Sequence, residues 1–233
     1  MAAASPPARQ HGRRGFVGAV LCGGASRRMG RDKAVIPLGD GRILAEVAGS
    51  ALRAAGAGQV LAVGGAADVL GARAMTPIPD RFPGEGPLGG LLSALDAFAA
   101  ITEASSPGDR PDALVVLTCD LVAIRGDEVV ALLDALRAAP GCDVALPVHD
   151  GFGHYLTAAY RSTACEPLRL AFDHGERAVR RAAAGLVRVG LTELDPSRLR
   201  DADTPAELDA AVGAALGGRA ADARPRGDRT PCA

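Results

Sequence analysis

Residues 21–34, LCGGASRRMGRDKA, gather three glycines (Gly23, Gly24, Gly30), three arginines (Arg27, Arg28, Arg31), Lys33 and Asp32 behind an apolar run. Glycine lets the backbone turn sharply and approach an anion with no Cβ in the way, so that N–H groups face the anion's oxygens. Arg27, Arg28, Arg31 and Lys33 supply the positive charge to neutralise a polyphosphate. The chemistry expected is the cradling of a nucleoside triphosphate. Two familiar glycine-rich templates do not fit. Gly30 is not followed by Lys-Ser or Lys-Thr as in a P-loop, and the dinucleotide spacing G-x-G-x-x-G is absent. The plain alternative is a solvated basic turn that joins strand to helix.

Asp120 closes the apolar run 113–119. A strand there delivers its carboxylate to the sheet edge where open α/β sheets bind ligands. A nucleoside triphosphate needs a divalent cation, and Mg²⁺ is usually held by one or two carboxylates together with phosphate oxygens and water. Asp120 is thus a candidate metal carboxylate, with a water-facing strand cap as the alternative. His149, His154 and His174 share no metal-ligand spacing. Of these only His154 is a candidate general base, and a polar strand-end residue is its plainer role. Five cysteines (Cys22, Cys119, Cys142, Cys165, Cys232) are scattered and include no C-x-x-C pair. Neither a zinc site nor a disulfide framework is expected, and a reducing cytoplasm fits.

The elements that must position these groups follow from apolar patterning. Runs 16–23, 59–65, 113–120 and 143–150 are short, rich in Val and Leu, and bounded by Gly, Pro or Asp, as buried strands are. Between them, 43–55, 88–100 and 127–139 are Ala/Leu-rich and long enough for helices. The alternation predicts an α/β fold, a mostly parallel sheet covered on both faces. Segment 154–161 reads as a strand that follows 143–150 after a GFG turn. That predicts a hairpin and an antiparallel addition in the C-terminal half. Helices near 164–173 and 176–184 and a strand at 186–191 come next. A last helix starts at Thr204 as N-cap, with Pro205 at its first position and Glu207 completing a capping box.

The chain has 233 residues, 48% hydrophobic but only 3% aromatic and without Trp, so its core must be built from Ala, Val and Leu. A net charge of -1 argues against a general nucleic-acid or membrane-surface binder. No apolar run reaches the length of a membrane span. Residues 1–14 carry basic residues without an apolar h-region, and 218–233 are rich in Gly, Pro, Arg and Asp. Both are expected to be disordered, flanking a single domain at 15–217.

LCGGASRRMGRDKA resembles the signature L-x-G-G-x-S-x-R-M-G-x-D-K of nucleotidyltransferases, and most closely that of the molybdenum cofactor guanylyltransferase family. Four further stretches agree in order: PDRFPGEGPLGGL (79–91), LTCDLV (117–122), GHYLTAAYR (153–161) and DADTPAEL (201–208). The resemblance implies a Rossmann-like three-layer α/β/α nucleotidyltransferase fold. It implies a Mg²⁺-dependent cytoplasmic enzyme that moves GMP from GTP to molybdopterin, a phosphorylated pterin, and releases pyrophosphate. The nucleotide would be held by Leu21, Cys22, Gly23, Gly24, Ser26, Lys33, Asp80 and Asp120. Arg28, Lys33 and Asp120 would act in catalysis, and Asp120 and Asp203 would hold the metal. Partners implied are GTP, the pterin and, transiently, molybdenum cofactor enzymes, with no nucleic acid and no membrane.

Departures from the family pattern bear on base and acceptor. Val63 stands where the family often has a polar residue, and Val122 stands where a proline is expected after Cys119-Asp120. Asp201 and Asp203 replace two asparagines, and Cys22 replaces an alanine. A cytidylyltransferase of the same pathway, with CTP as donor, or a transferase with another phosphorylated acceptor therefore stays open. A non-catalytic nucleotide-binding protein is the alternative of a different class, and the intact Lys33 and Asp120 speak against it. The arginines of HGERAVRR (174–181) would either meet an acceptor phosphate or form a solvated helix face.

Overall fold

The structure, a computed structural model, describes residues 15–23, 32–202 and 207. In chain order its elements are β1 (Phe16–Leu21), α1 (Ala45–Ala54), β2 (Gln59–Val63), α2 (Ala67–Gly71), β3 (Thr76–Ile78), α3 (Pro87–Ala104) and β4 (Ala113–Thr118). They continue as α4 (Gly126–Ala138), β5 (Val144–His149), β6 (Phe152–Gly153), β7 (Ala158–Tyr160), α5 (Cys165–Asp173), α6 (Val179–Ala182) and β8 (Arg188–Leu191). Every residue of β1 is buried, as expected of a strand covered on both faces. It pairs in parallel with β2 on one side and β4 on the other. The sheet runs β3-β2-β1-β4-β7-β5, and β8 pairs in parallel with β5. Strand β7 is antiparallel to both its neighbours.

Alternate strand residues face opposite layers, and each layer has its own core. Phe16, Val20, Val115 and Leu117 pack with Leu44 and Leu52 of the α1 side and Leu132 and Leu136 of α4. Val17, Leu21, Leu61 and Val116 pack with Leu88, Leu91 and Phe98 of α3 and with Leu168 and Phe172 of α5. This is the expected three-layer α/β/α arrangement, mostly parallel, with its antiparallel addition in the C-terminal half. Among the described residues no helix is long and apolar enough to cross a membrane.

The differences from expectation have local causes. Strand β1 stops at Leu21, two residues early, because the N–H groups of Cys22 and Gly23 both turn to the carbonyl of Val63. Helix α3 begins at Pro87, a residue suited to a first helical turn, and continues to Ala104. Strand β3 contains Pro77, which argues against a strand except at a sheet edge, and an edge is where it lies. Neither β3 nor the five-residue α2 is apparent from periodicity. The segment expected as one strand at 154–161 is divided. Val148 faces Gly153, but Val144 faces Tyr160, so three extra residues are looped out of the ladder. They leave it to bury Tyr155, whose carbonyl accepts the Tyr160 hydroxyl at 2.5 Å. The helix expected at 176–184 is only the short α6 followed by a 3-10 turn at Ala183–Gly185, and the strand at 186–191 shortens to β8. The arm at 1–14, the capping residues Thr204 and Pro205, and the tail at 218–233 lie outside the described residues.

Candidate active site

The chain leaves β1 towards β2 on one side, while β4 lies on the other. Their carboxyl ends therefore flank a topological switch point, where open α/β sheets have a crevice. Lys33 and Asp120 meet there. Asp32 caps a 3-10 turn at Lys33–Val35, its Oδ1 accepting the Ala34 N–H at 3.0 Å, and Ala34 and Ile36 anchor the turn in the core beneath. Lys33, only 9% exposed, extends Nζ to 3.2 Å from Oδ2 of Asp120. The other carboxylate oxygen, Asp120 Oδ1, is buried with no hydrogen-bond partner.

A buried acceptor without a partner costs about 1–3 kcal/mol, and such an atom is retained where something else completes it. A divalent cation fits this oxygen. Among the described residues no group of three or more His, Cys, Asp and Glu side chains could hold a metal ion. A hard cation sharing one protein carboxylate with phosphate oxygens and water fits that composition. Asp201 is brought alongside: Leu121 and Asp201 form an antiparallel bridge, and the Ala202 N–H donates to the Asp120 carbonyl at 3.2 Å. Asp203 lies outside the described residues, as do Gly24, Ser26, Arg28 and the neighbouring Arg27, Gly30 and Arg31.

The turn after β2 organises the crevice from the other side. Gly64 and Gly65 have φ of +71° and +74°, the left-handed region, and a Cβ on Gly64 would lie 3.0 Å from the Cα of Gly23. The Val63 carbonyl accepts the N–H groups of Cys22 and Gly23, both at 2.9 Å. Asp32 Oδ2 accepts the Ala66 N–H at 3.0 Å. Gly23 and Asp32, which flank 24–31, are therefore both held at one turn. The pairing also corrects an expectation: the N–H groups of Cys22 and Gly23 are already engaged and do not face a phosphate. Val63 is 1% exposed, its side chain packed with Leu21 and Leu91, so any contact it makes with a nucleotide is through backbone. Leu21 is buried in the same core. Cys22 is a core thiol whose Sγ donates to the Val20 carbonyl. A hydrogen bond with Cys119, and then burial, push it far above the ordinary thiol range.

Asp80 both shapes its own turn and faces the crevice. Oδ1 accepts the Phe82 N–H at 3.0 Å and the Ser93 hydroxyl at 3.2 Å, making it a turn residue. Oδ2 lies 3.5 Å from where a Gly23 Cβ would stand, so it also faces the loop after β1. The Pro/Gly-rich loop that follows is held from outside. Phe82 packs on Phe172 with ring centroids 4.8 Å apart, Asp96 pairs with both Arg81 and Arg169, and Glu85 accepts from Arg177 Nε at 2.5 Å. Arg177 is thus a buttress of this loop rather than a free phosphate ligand. Arg181 is paired with Glu176, and this bond, followed by the Ala178 N–H, pulls the Glu176 carboxyl down to about 2. His149 sits 3.4 Å from Asp150, and His174 Nδ1 lies 2.8 Å from the Leu170 carbonyl. The structure assigns neither a metal-ligating role.

Asp32 was not among the expected site residues. Its position immediately before Lys33 and a short apolar segment is a cap signal, but its second bond, to Ala66, is not visible in local sequence.

Residues 18–189 match the family model of the MobA-like NTP transferase domain. The chain is 37% identical over 200 residues to a probable molybdenum cofactor guanylyltransferase of Opitutus terrae, spanning 83% of this chain and 93% of that protein. It is 35% identical over 163 residues to a phosphoenolpyruvate guanylyltransferase of Streptomyces scabiei, spanning 68% of this chain and 71% of that protein. The solved structure of molybdopterin-guanine dinucleotide biosynthesis protein A from Archaeoglobus fulgidus superposes with a TM-score of 0.67 at 25% identity. That match covers 87% of this chain and 100% of that one.

Proposed function

The chain belongs to the MobA-like NTP transferase family and is a nucleotidyltransferase, and we propose that it transfers GMP from GTP to molybdopterin, releasing pyrophosphate. The observation that carries the proposal is the Lys33–Asp120 pair at the switch point, with one carboxylate oxygen buried and unpartnered. The choice of guanine is supported by relatives that are named guanylyltransferases although their named acceptors differ. The choice of molybdopterin is supported by the Opitutus terrae relative, of which 93% is spanned. Phosphoenolpyruvate as acceptor is the second reading, favoured by the Streptomyces scabiei relative.

The acceptor phosphate is ionised at neutral pH, so no protein nucleophile or general base is required. The chain has to hold two anions in line and offset their repulsion. Lys33, fixed in place by the Asp32 cap, offers its ammonium to the triphosphate, and Arg28 adds a second cation. Asp120, with Asp203, would hold Mg²⁺ through the unpartnered Oδ1. Bound there, Mg²⁺ supplies positive charge to the phosphoryl group in transfer. Asp80 Oδ2 borders the nucleotide side of the crevice. The setting proposed is the cytoplasm, with hand-over of product to molybdenum cofactor enzymes.

The test is pyrophosphate release from GTP, CTP or ATP with Mg²⁺, each with molybdopterin, with phosphoenolpyruvate, or with neither. GTP with molybdopterin is expected to be fastest. Preference for CTP overturns the guanylyl assignment, and dependence on phosphoenolpyruvate overturns the acceptor.

A further inference from the structure

We infer that Phe152 and Arg180 form a stacking site for the planar, fused heteroaromatic ring of the acceptor, on the β5 side of the crevice. This rests on the pterin reading above. The first observation is placement. Tyr160 of β7 faces Leu114 on β4 and Val144 on β5, so five residues further along, Cys119 and His149 stand at the same height. Phe152 faces His149 across the hairpin, which brings it level with the strand end that carries Asp120. Strand β5 is two strand positions, about 10 Å, from β4. That separation suits a substrate whose phosphate reaches Asp120 while its ring lies beyond.

The second observation is exposure. Phe152 is 60% exposed, the most exposed large apolar side chain among the described residues. The others lie elsewhere: Val187 beside Asp143 at the opposite end of β5, Leu170 on the outer side of α5, and Val69 on the β2 side. Phe152 is held out by a tight turn at Asp150 and Gly151, with φ of +49° and +76°.

The third observation is the state of the arginines. Arg177 is committed to Glu85 and Arg181 to Glu176. Arg180 has its guanidinium carbon 5.0 Å from the centroid of the Phe152 ring, and among the described residues it has no hydrogen bond or ion pair. A guanidinium plane against an exposed ring makes two flat surfaces, one of them cationic, suited to a flat, polar heterocycle that carries negative charge.

The test is equilibrium binding of molybdopterin and, separately, of GTP with Mg²⁺ to the full chain and to F152L, F152Y and R180A. Stacking on an aromatic ring is worth enough that F152L should weaken molybdopterin binding about tenfold. F152Y, which keeps the ring, should bind within about twofold of wild type, R180A should fall between, and GTP affinity should be unchanged in all three. Equal molybdopterin affinity in F152L and wild type overturns the stacking site and leaves the pterin reading standing. Parallel loss of GTP affinity overturns it too, because the change would then be structural. A wild-type chain that binds no molybdopterin overturns the pterin reading together with the site that rests on it.

Discussion

Replacing Asp120 by asparagine removes a negative charge from the switch point while keeping the side chain's shape. At 3.2 Å from Lys33 Nζ, in a setting of effective dielectric near 20, the gross attraction lost is about 5 kcal/mol. Opposing it is only the cost of keeping the Asp120 carboxylate largely out of water, at 22% exposure, because Lys33, at 11%, stays charged and buried in the variant. Asparagine keeps a polar atom at the position of the unpartnered Oδ1, so the cost of burying one there is retained. Removing one partner of a largely buried pair leaves a net loss of about 3 kcal/mol, which for a chain of this length is about 6–12 °C in Tm. Turnover should respond on another scale, falling by about 10² to 10³, or about 2.7–4.1 kcal/mol in the barrier. Pyrophosphate release under saturating GTP and Mg²⁺, with thermal unfolding followed in parallel, separates the two effects. GTP at a hundred times its Kd should stabilise the wild-type chain by about 2.7 kcal/mol, and the Asp120→Asn variant much less at the same concentration. Turnover within tenfold of wild type would remove Asp120 from the metal site. A fall in Tm beyond about 15 °C would show that the loss is one of folding.

Asp32→Ala should weaken GTP binding by about tenfold and cost about 1–2 kcal/mol of stability, because it releases Lys33 and the Ala66 N–H together; unchanged GTP affinity in a titration counts against its positioning role. Val63→Asn places the polar residue usual in the family into a packed core position. It should cost about 1–3 kcal/mol in urea unfolding with no gain in GTP affinity, and tighter GTP binding would show that the side chain can reach the nucleotide. Glu176, held well below its unfolded value, contributes stability that is fully present above about pH 4.5 and is lost as pH falls through about 2. Protection of the Ala178 amide, taken relative to its intrinsic exchange rate at each pH, should fall over that window, and Glu176→Gln should abolish the dependence.

Much of the fold was legible because buried strands and their covering helices differ in length and apolar content. Asp120 was legible as a candidate site residue because it ends such a strand, and Lys33 because it ends a run of glycine and cations. What escaped depends on contacts between segments far apart in sequence. Asp32 acts through Ala66, 34 residues away, and nothing local distinguishes it from any other cap. Val63 could be seen to lack a polar side chain, but not that its carbonyl would take two N–H groups from the loop after β1. Strand β3 was hidden by Pro77, whose missing donor matters only if both edges of a strand are paired. The division of 154–161 turns on Tyr155 preferring the core to the ladder, a packing choice that alternation cannot express.

The pairing of Val63 with Cys22 and Gly23, and of Ala66 with Asp32, has a consequence for how such enzymes diversify. Since Gly23 and Asp32 are both tied to one turn, the two ends that flank residues 24–31 share a fixed mount. Closing a longer loop over the same mount costs little, about 0.6 kcal/mol for each doubling of length. Insertions or exchanges within 24–31 are therefore expected to leave Lys33 beside Asp120. A transplanted stretch from a relative with another donor should be accepted by this scaffold, its ends requiring only a glycine to meet Val63 and an aspartate to meet Ala66.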